Sequence, residues 1–185
     1  MTPNTFLSGE RVYLRGLDEH DVKGNYVHWL NDPEVCRYNS HHTFPYTQEQ
    51  ALAYIRSLSN TRDKLVLAII ERQSQKHIGN LALQNIHAIN QSAEFAILMG
   101  EKAFWGLGYG KEAASLIMTH GFLALNLHRI YCGTNHENIG MQKLAESLGM
   151  KEEGRLRQAT FKHGKFMDVI QYGILKSEYF DHNKE

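Results

Sequence analysis

The chain has only two cysteines, Cys36 and Cys132, far apart in sequence. They cannot make a disulfide framework, and they fit a reducing compartment. The opening Met1 to Arg11 holds no apolar leader core, and no apolar run approaches the ~18 residues of a membrane span. Charge of one sign is missing too: twenty Lys and Arg balance twenty Asp and Glu. That excludes a strongly basic nucleic-acid footprint, although eleven histidines would turn the chain cationic below about pH 6.5. Prolines number three, Pro3, Pro33 and Pro45, and there is no repeat or low-complexity tract. The expectation is a cytoplasmic protein with no membrane, nucleic acid or metal among its partners.

What is present is ordinary globular material. With 185 residues, 42% hydrophobic and 22% charged, the chain suits one domain over 1–185 and is not disordered. Residues 11–15 alternate as a strand. Asp18 reads as an N-cap, with Val22, Tyr26, Trp29 and Leu30 on one helical face. Pro33 and Pro45 bracket a loop or short helical turn over 31–46, and Thr47 with Gln50 makes a capping box for a helix over 47–58. The unbroken apolar run Leu65 to Ile70 predicts a strand covered on both faces. Strands over 78–86 and 93–99 follow on short connections.

The period then changes to 3.6. Ala114, Ile117, Met118, Gly121, Phe122 and Leu125 predict a helix over 109–126. A strand over 129–134 precedes a helix capped by Asn138 and stopped by Gly149. The segments 150–161 and 165–175 read as a hairpin around His163-Gly164. The sum is an α+β (α/β layered) fold, a central mixed sheet of about seven strands flanked by about four helices.

Phe104-Trp-Gly-Leu-Gly-Tyr-Gly-Lys111 joins a strand to the long helix. Glycines let the backbone turn sharply, and the free N–H groups of a helix's first turn attract phosphate. Glu112 follows Gly110-Lys111 where a P-loop needs Ser or Thr, and glycines two apart do not make a Rossmann fingerprint.

Trp105-Gly-Leu-Gly-Tyr-Gly110 resembles the acyl-CoA pyrophosphate loop of the GNAT N-acetyltransferase superfamily, Gln/Arg-x-x-Gly-x-Gly/Ala. Gly108 and Gly110 are the diagnostic glycines, and Trp105 stands in the Gln/Arg place, as in the branch with ribosomal-protein N-terminal and spermidine acetyltransferases. Asn138 to Met150 matches the family's Asn…Leu-Gly-Phe/Met pattern, Leu14-Arg15 with Asp18 its opening, and Glu153 to Arg157 with Gly164 and Asp168 its close. The resemblance covers about residues 8–178.

The resemblance implies a GNAT fold and an acetyl-CoA cosubstrate lying where strands 93–99 and 129–134 splay apart. Backbone groups of Ile97, Leu98 and Met99 would pair with the pantetheine arm, and one N–H there would polarise the thioester carbonyl. Amides of Leu107, Gly108, Tyr109, Gly110 and Lys111 would hold the pyrophosphate, with Asn138 and Lys143 nearby. Glu94 is the leading base for the attacking amine; His41, His42, His87, His128 and His136 are rivals, His136 the best placed. Ala145 stands where many relatives carry a Tyr acid, which leaves Tyr131, Cys132, Ser147 or water. Tyr38, His41 and Phe44, with the helix at 47–58 and the hairpin tip at 160–166, would form the acceptor pocket. The implied activity is acetyl transfer to a primary amine, with a protein N-terminal α-amine leading. A small-molecule amine (amino-sugar nucleotide, polyamine or aminoglycoside) is the alternative, and a non-catalytic CoA-binding module a third reading. A homodimer is an open expectation.

Overall fold

A computed structural model describes residues 4–182; the reading of the opening segment also touches residues 1–3, which lie outside them. The strands are β1 (Leu7–Ser8), β2 (Val12–Gly16), β3 (Leu65–Glu71), β4 (His77–His87), β5 (Ser92–Met99), β6 (Arg129–Asn135), β7 (Lys151–Lys162) and β8 (Lys165–Leu175). The α-helices are α1 (Tyr26–Asn31), α2 (Gln48–Ser57), α3 (Tyr109–Leu123), α4 (Ile139–Ser147) and α5 (Lys176–His182). One sheet holds all eight strands in the order β1-β2-β3-β4-β5-β6-β8-β7. Every neighbouring pair is antiparallel except β5–β6. That pair is parallel because α3 carries the chain back across the sheet between them.

The sheet separates two apolar layers. On one face Ile117, Met118 and Phe122 of α3, all fully buried, pack on Leu67, Ile69, Leu81, Leu83, Phe95 and Ile130. Each such side chain contributes about 2 kcal/mol of transfer free energy. On the other face Val22, Tyr26, Trp29 and Leu30 meet Ala51 and Ile55 of α2, with Leu98 against them. The run Leu65 to Ile70 serves both layers, as its unbroken apolarity predicts: Leu67 and Ile69 face α3, while Ala68 and Ile70 join Tyr13 behind.

Four differences from the sequence reading have local causes. The helix expected from Asp18 is two pieces, a 3-10 turn over Glu19–Lys23 and then α1, because Gly24 is extended (ψ −153°). The helix α3 stops at Leu123 rather than 126, and Asn126 takes a left-handed φ of 52°, a conformation asparagine tolerates. The two-residue strand β1, paired through Leu7↔Leu14, is an eighth strand. The fifth helix, α5, is anchored by Tyr179, whose hydroxyl lies 3.0 Å from Thr119 Oγ1.

Burial of charge fixes α1 against the sheet. Asp21, 6% exposed, accepts from both Arg15 Nη1 (2.8 Å) and Nη2 (2.6 Å), and His77 Nδ1 lies 3.2 Å from Asp21 Oδ1. Trp29 stacks edge-on to His77 and lies over Gly100, where any Cβ would collide with the indole. Its Nε1 donates to Glu101 just beyond β5 (3.0 Å). Desolvation opposes the Asp21 charge, but the Arg15 and His77 contacts outweigh it and hold the carboxyl far below its ordinary range.

A depressed carboxyl pKa contributes stability above the unfolded value near 3.9, and that contribution is lost as pH falls through and below it. Asp21→Asn should therefore lower the unfolding free energy at pH 7 by about 3 kcal/mol, the cost of stranding a buried Arg. The gap to wild type should narrow below about pH 4 in denaturant titrations. A gap that stays constant down to pH 2 would show that Asp21 acts by shape alone.

Candidate active site

The parallel ladder between β5 and β6 is short. It pairs Ser92↔Arg129, Ala93↔Ile130 and Glu94↔Tyr131 and then ends. Each strand continues on its outer partner, β5 on β4 up to Gly79↔Met99 and β6 on β8 up to Asn135↔Val169. Two well-held half-sheets thus diverge from one point and leave a cleft of about 860 Å³.

The backbone on the β5 side is unevenly committed. Gly100 and Glu101 N–H both donate to Ile78 O on the β4 side (2.9 and 3.0 Å). Alternation along the strand turns the main chain of Ile97 and Met99 the other way, into the cleft, and that of Leu98 toward β4. The expected use of Leu98 backbone is thereby corrected: its register partner is Asn80, and its side chain packs with α1 and α2. Trp105, in the place of the family's Gln/Arg, donates its indole N–H to Met99 O (2.8 Å). That leaves the Ile97 main chain and the Met99 N–H facing the gap.

The glycine turn closes the cleft's mouth. Gly106 and Gly108 have φ of 71° and 85°, a region side chains disfavour. Gly108 is the N-cap of α3 and supplies no side-chain cap, and the first i→i−4 bond is Glu112 N–H to Gly108 O (3.1 Å). The N–H groups of Tyr109, Gly110 and Lys111 are therefore outside the helical ladder, at the positive end of a fifteen-residue helix. Gly108, Gly110 and Lys111 line the cleft; Leu107 is exposed, and Tyr109 packs edge-on to Phe104. A Cβ on Gly110 would sit 3.6 Å from Ile97 Cδ1 and Met99 Sδ, so the first turn of α3 rests directly on β5. Across the cleft, Asn138 caps α4 by accepting from Met141 N–H (3.2 Å), and Asn138 and Lys143 form the far wall.

Sequence reasoning missed Arg11. Its Nη1 donates to Leu107 O (3.0 Å), its Nε to Glu112 Oε2 (3.0 Å), and its guanidinium lies 4.7 Å from the Tyr109 ring centre. Nothing local in the sequence joins residues a hundred positions apart.

Glu94 is the last residue of β5 paired with β6 and stands at the apex of the opening. Alternation puts its side chain on the face opposite Phe95 and Ile97. Its Oε2 accepts from Gln84 Nε2 (3.1 Å) and Asn85 Nδ2 (2.9 Å). Asn85 reaches it because β4 is irregular there and its φ is 52°. The opposing wall comes from residues 34–40, Tyr38 among them, with Thr160 and Val169. The hairpin tip fastens this loop: Lys162 Nζ donates to His41 O (2.6 Å), and His163 Nε2 lies 3.2 Å from Arg37 O.

Three expected site residues, the rival base His136 and the pocket residues Phe44 and His41, lie elsewhere. His136 follows the end of β6, where its N–H donates to Asp168 O (3.0 Å) and its Nδ1 lies 3.4 Å from the same oxygen; it does not line the cleft. Phe44 is 82% exposed. His41 is turned toward Tyr46, ring centres 6.4 Å apart. Nor does α2 line the cleft; its apolar side packs under α1. Ala145 is fully buried; among the acid candidates, Tyr131 is outside the cleft lining with its ring 5.8 Å from the Arg129 guanidinium, and Cys132 is buried on the α3 face, its thiol pushed up to about 12 by desolvation and by the Glu94 carboxylate. Ser147 lines the cleft but donates to Leu144 O (2.8 Å).

Comparison with known proteins agrees with this geometry. The model of the acetyltransferase (GNAT) domain matches residues 11–151. An uncharacterized N-acetyltransferase, p20, of Bacillus licheniformis is 31% identical over 174 residues, 92% of this chain and 96% of that protein. The spermidine N(1)-acetyltransferase of Escherichia coli K12 is 28% identical, covering 96% of this chain and 92% of its own. The spermidine N-acetyltransferase of Vibrio cholerae, solved in complex with CoA and spermine, superposes with a TM-score of 0.84 at 26% identity, over 93% and 99% of the two chains. Because the matched residues include the glycine turn and both strands of the opening, the chain belongs to the GNAT acetyltransferase family and is an N-acetyltransferase.

Proposed function

We propose that the protein transfers the acetyl group of acetyl-CoA to a primary amine by direct attack, and that its acceptor carries a single amine, a protein N-terminal α-amine first. The cosubstrate fits the residues present. The unpaired N–H groups at the head of α3 suit a pyrophosphate, and Gly108 supplies the left-handed φ of 85° that turns the backbone into them. The Ile97 main chain and Met99 N–H suit the pantetheine arm as an added strand. Asn138 and Lys143 stand on the phosphate side, and Glu94 takes the proton of the acceptor ammonium, directly or through water, so that the neutral amine attacks.

One observation carries the acceptor reading. Among the described residues only two carboxylates line the cleft, Glu34 and Glu94, and Lys102 Nζ binds both Glu34 (2.6 Å) and Asp32 (2.9 Å). Arg37, Lys111 and Lys143 line the same space. An acceptor with several ammonium groups would meet one uncommitted carboxylate and, on the acceptor wall, the Arg37 guanidinium, whereas a single amine needs only Glu94. An α-amine, with a pKa near 7.7–8.0 against 10.4 for lysine, is also far more often neutral at pH 7. The second reading, a small polyamine, is favoured by the spermidine acetyltransferases of E. coli and V. cholerae.

Rates with acetyl-CoA over a panel of free peptides, N-blocked peptides with internal lysines, spermidine, amino sugars and aminoglycosides separate the readings. Free peptides should give the highest kcat/KM. Spermidine ahead of every peptide would establish the second reading, and no turnover with any amine would leave a CoA-binding module.

Glu94→Gln keeps the shape and removes the charge. It should lower kcat by about 10²-fold at pH 7 and leave acetyl-CoA affinity unchanged. The deficit should shrink at high pH, where the amine loses its proton unaided. Near-wild-type turnover at pH 7 would end the candidacy.

Gly108→Val forces a β-branched side chain to φ 85° and toward Arg11. The protein should keep its fold but lose the rise in Tm that CoA gives the wild type. An undiminished rise would move the phosphate site away from this turn.

A further inference from the structure

We propose that Arg11 is a positioning residue that holds the 107–111 turn in its phosphate-binding shape; this rests on the reading of that turn as the pyrophosphate site. The turn cannot hold itself. It passes through two left-handed glycines, 106 and 108, the residues that lose most backbone entropy on ordering, and α3 begins without a side-chain cap.

Arg11 contacts Leu107 and Tyr109 of the turn and lies beside Gly108 between them. Nη1 donates to Leu107 O, the guanidinium lies over the Tyr109 ring, and Nη2 would be 3.1 Å from a Cβ built on Gly108. In a trans peptide the carbonyl and the following N–H point to opposite sides. Holding Leu107 O on the Arg11 side therefore aims the Gly108 N–H away from it. Arg11 is itself held. Glu112, one turn into α3, accepts from Arg11 Nε (3.0 Å) and from the main-chain N–H of Arg11 (2.7 Å) and Val12 (3.2 Å). Val12 is fully buried and paired with Glu71 of β3, so the turn is referenced through Arg11 to the sheet. Burial opposes the Glu112 charge, but these donors hold its carboxyl below the usual range. The Arg11 charge is matched by Glu112, so Arg11 acts on the shape of the turn and not as a ligand of the phosphates.

The test compares CoA with pantetheine, which lacks the pyrophosphate. Calorimetric Kd for CoA is measured for wild type, Arg11→Ala and Arg11→Lys, together with kcat and KM for acetyl-CoA and S-acetylpantetheine. Arg11→Ala should weaken CoA binding and raise the acetyl-CoA KM by about tenfold, through lost preorganisation, with kcat within about twofold. Its kcat/KM for S-acetylpantetheine should match wild type. Lysine lacks the planar fork that reaches Glu112 and Leu107 together, so Arg11→Lys should fall with Arg11→Ala; it also carries the comparison should the alanine variant not fold. Equal losses with both thioesters would mark a merely structural arginine, and full recovery in Arg11→Lys would mark a simple charge effect; either overturns the proposal, as does an unchanged Arg11→Ala. A wild-type enzyme that does not discriminate CoA from pantetheine would instead remove the reading of the turn, and the proposal with it.

Discussion

The parting of β5 from β6 after Glu94 and Tyr131 is the constraint on which the rest of the site depends. A strand edge inside a protein carries main-chain groups that need partners. Here β4 and β8 satisfy only the outer sides of the two diverging strands. The inner sides are answered one at a time: Trp105 takes Met99 O, and the helices α3 and α4 begin at the two rims with their N-caps, Gly108 and Asn138, in the cleft lining. What stays unanswered is a row of donors and acceptors shaped for an extended ligand. The apex is also where a side chain on the opposite sheet face first has room, and Glu94 occupies it.

Charge around this opening is mostly spent on holding walls. Asp21 is committed to Arg15 and His77, Glu101 accepts from Trp29 and Asn25, and Asp32 and Glu34 share Lys102. These contacts fix α1 and the following loop against the end of β5. Glu94 differs in kind. Its two named partners, Gln84 and Asn85, are neutral amides, and both address one oxygen. Amides orient a carboxylate without supplying a counter-charge, as the role proposed for Glu94 toward an ammonium requires.

Much of this was legible in the sequence where local rules suffice. The run Leu65–Ile70, the box Thr47–Gln50, the Asn138 cap and the glycine turn each carry their structure within a few residues. The places where reading failed depend on geometry between distant segments. A 3.6-residue period over Val22 to Leu30 is the same whether or not Gly24 breaks the helix, because both pieces still face α2. His136 looked poised because it ends a strand, yet the position of Asp168, set by the hairpin, decides where its ring lies. Strand 93–99 placed Ile97, Leu98 and Met99 side by side, but only the register with β4 shows that Leu98 turns its main chain away. Arg11 is invisible for the same reason: its partner Glu112 is distant in the chain and unremarkable in any window.

The missing tyrosine acid at Ala145 is consistent with this arrangement. That position faces the core, where a phenol would need both space and a partner. Of the side chains named for the role, the Cys132 thiol is in the core, the Ser147 proton is given to Leu144 O, and Tyr131 is outside the cleft lining. A thiol with a pKa near 8.5 is a modest base at pH 7, so departing as thiolate costs about 2 kcal/mol relative to the protonated product. Removing a proton from an amine is the larger demand wherever its pKa lies well above the ambient pH. Under the proposed function Glu94 meets the demand for proton removal, which is small for an α-amine with a pKa near 7.7–8.0 and exceeds that of the departing thiolate only for amines of higher pKa.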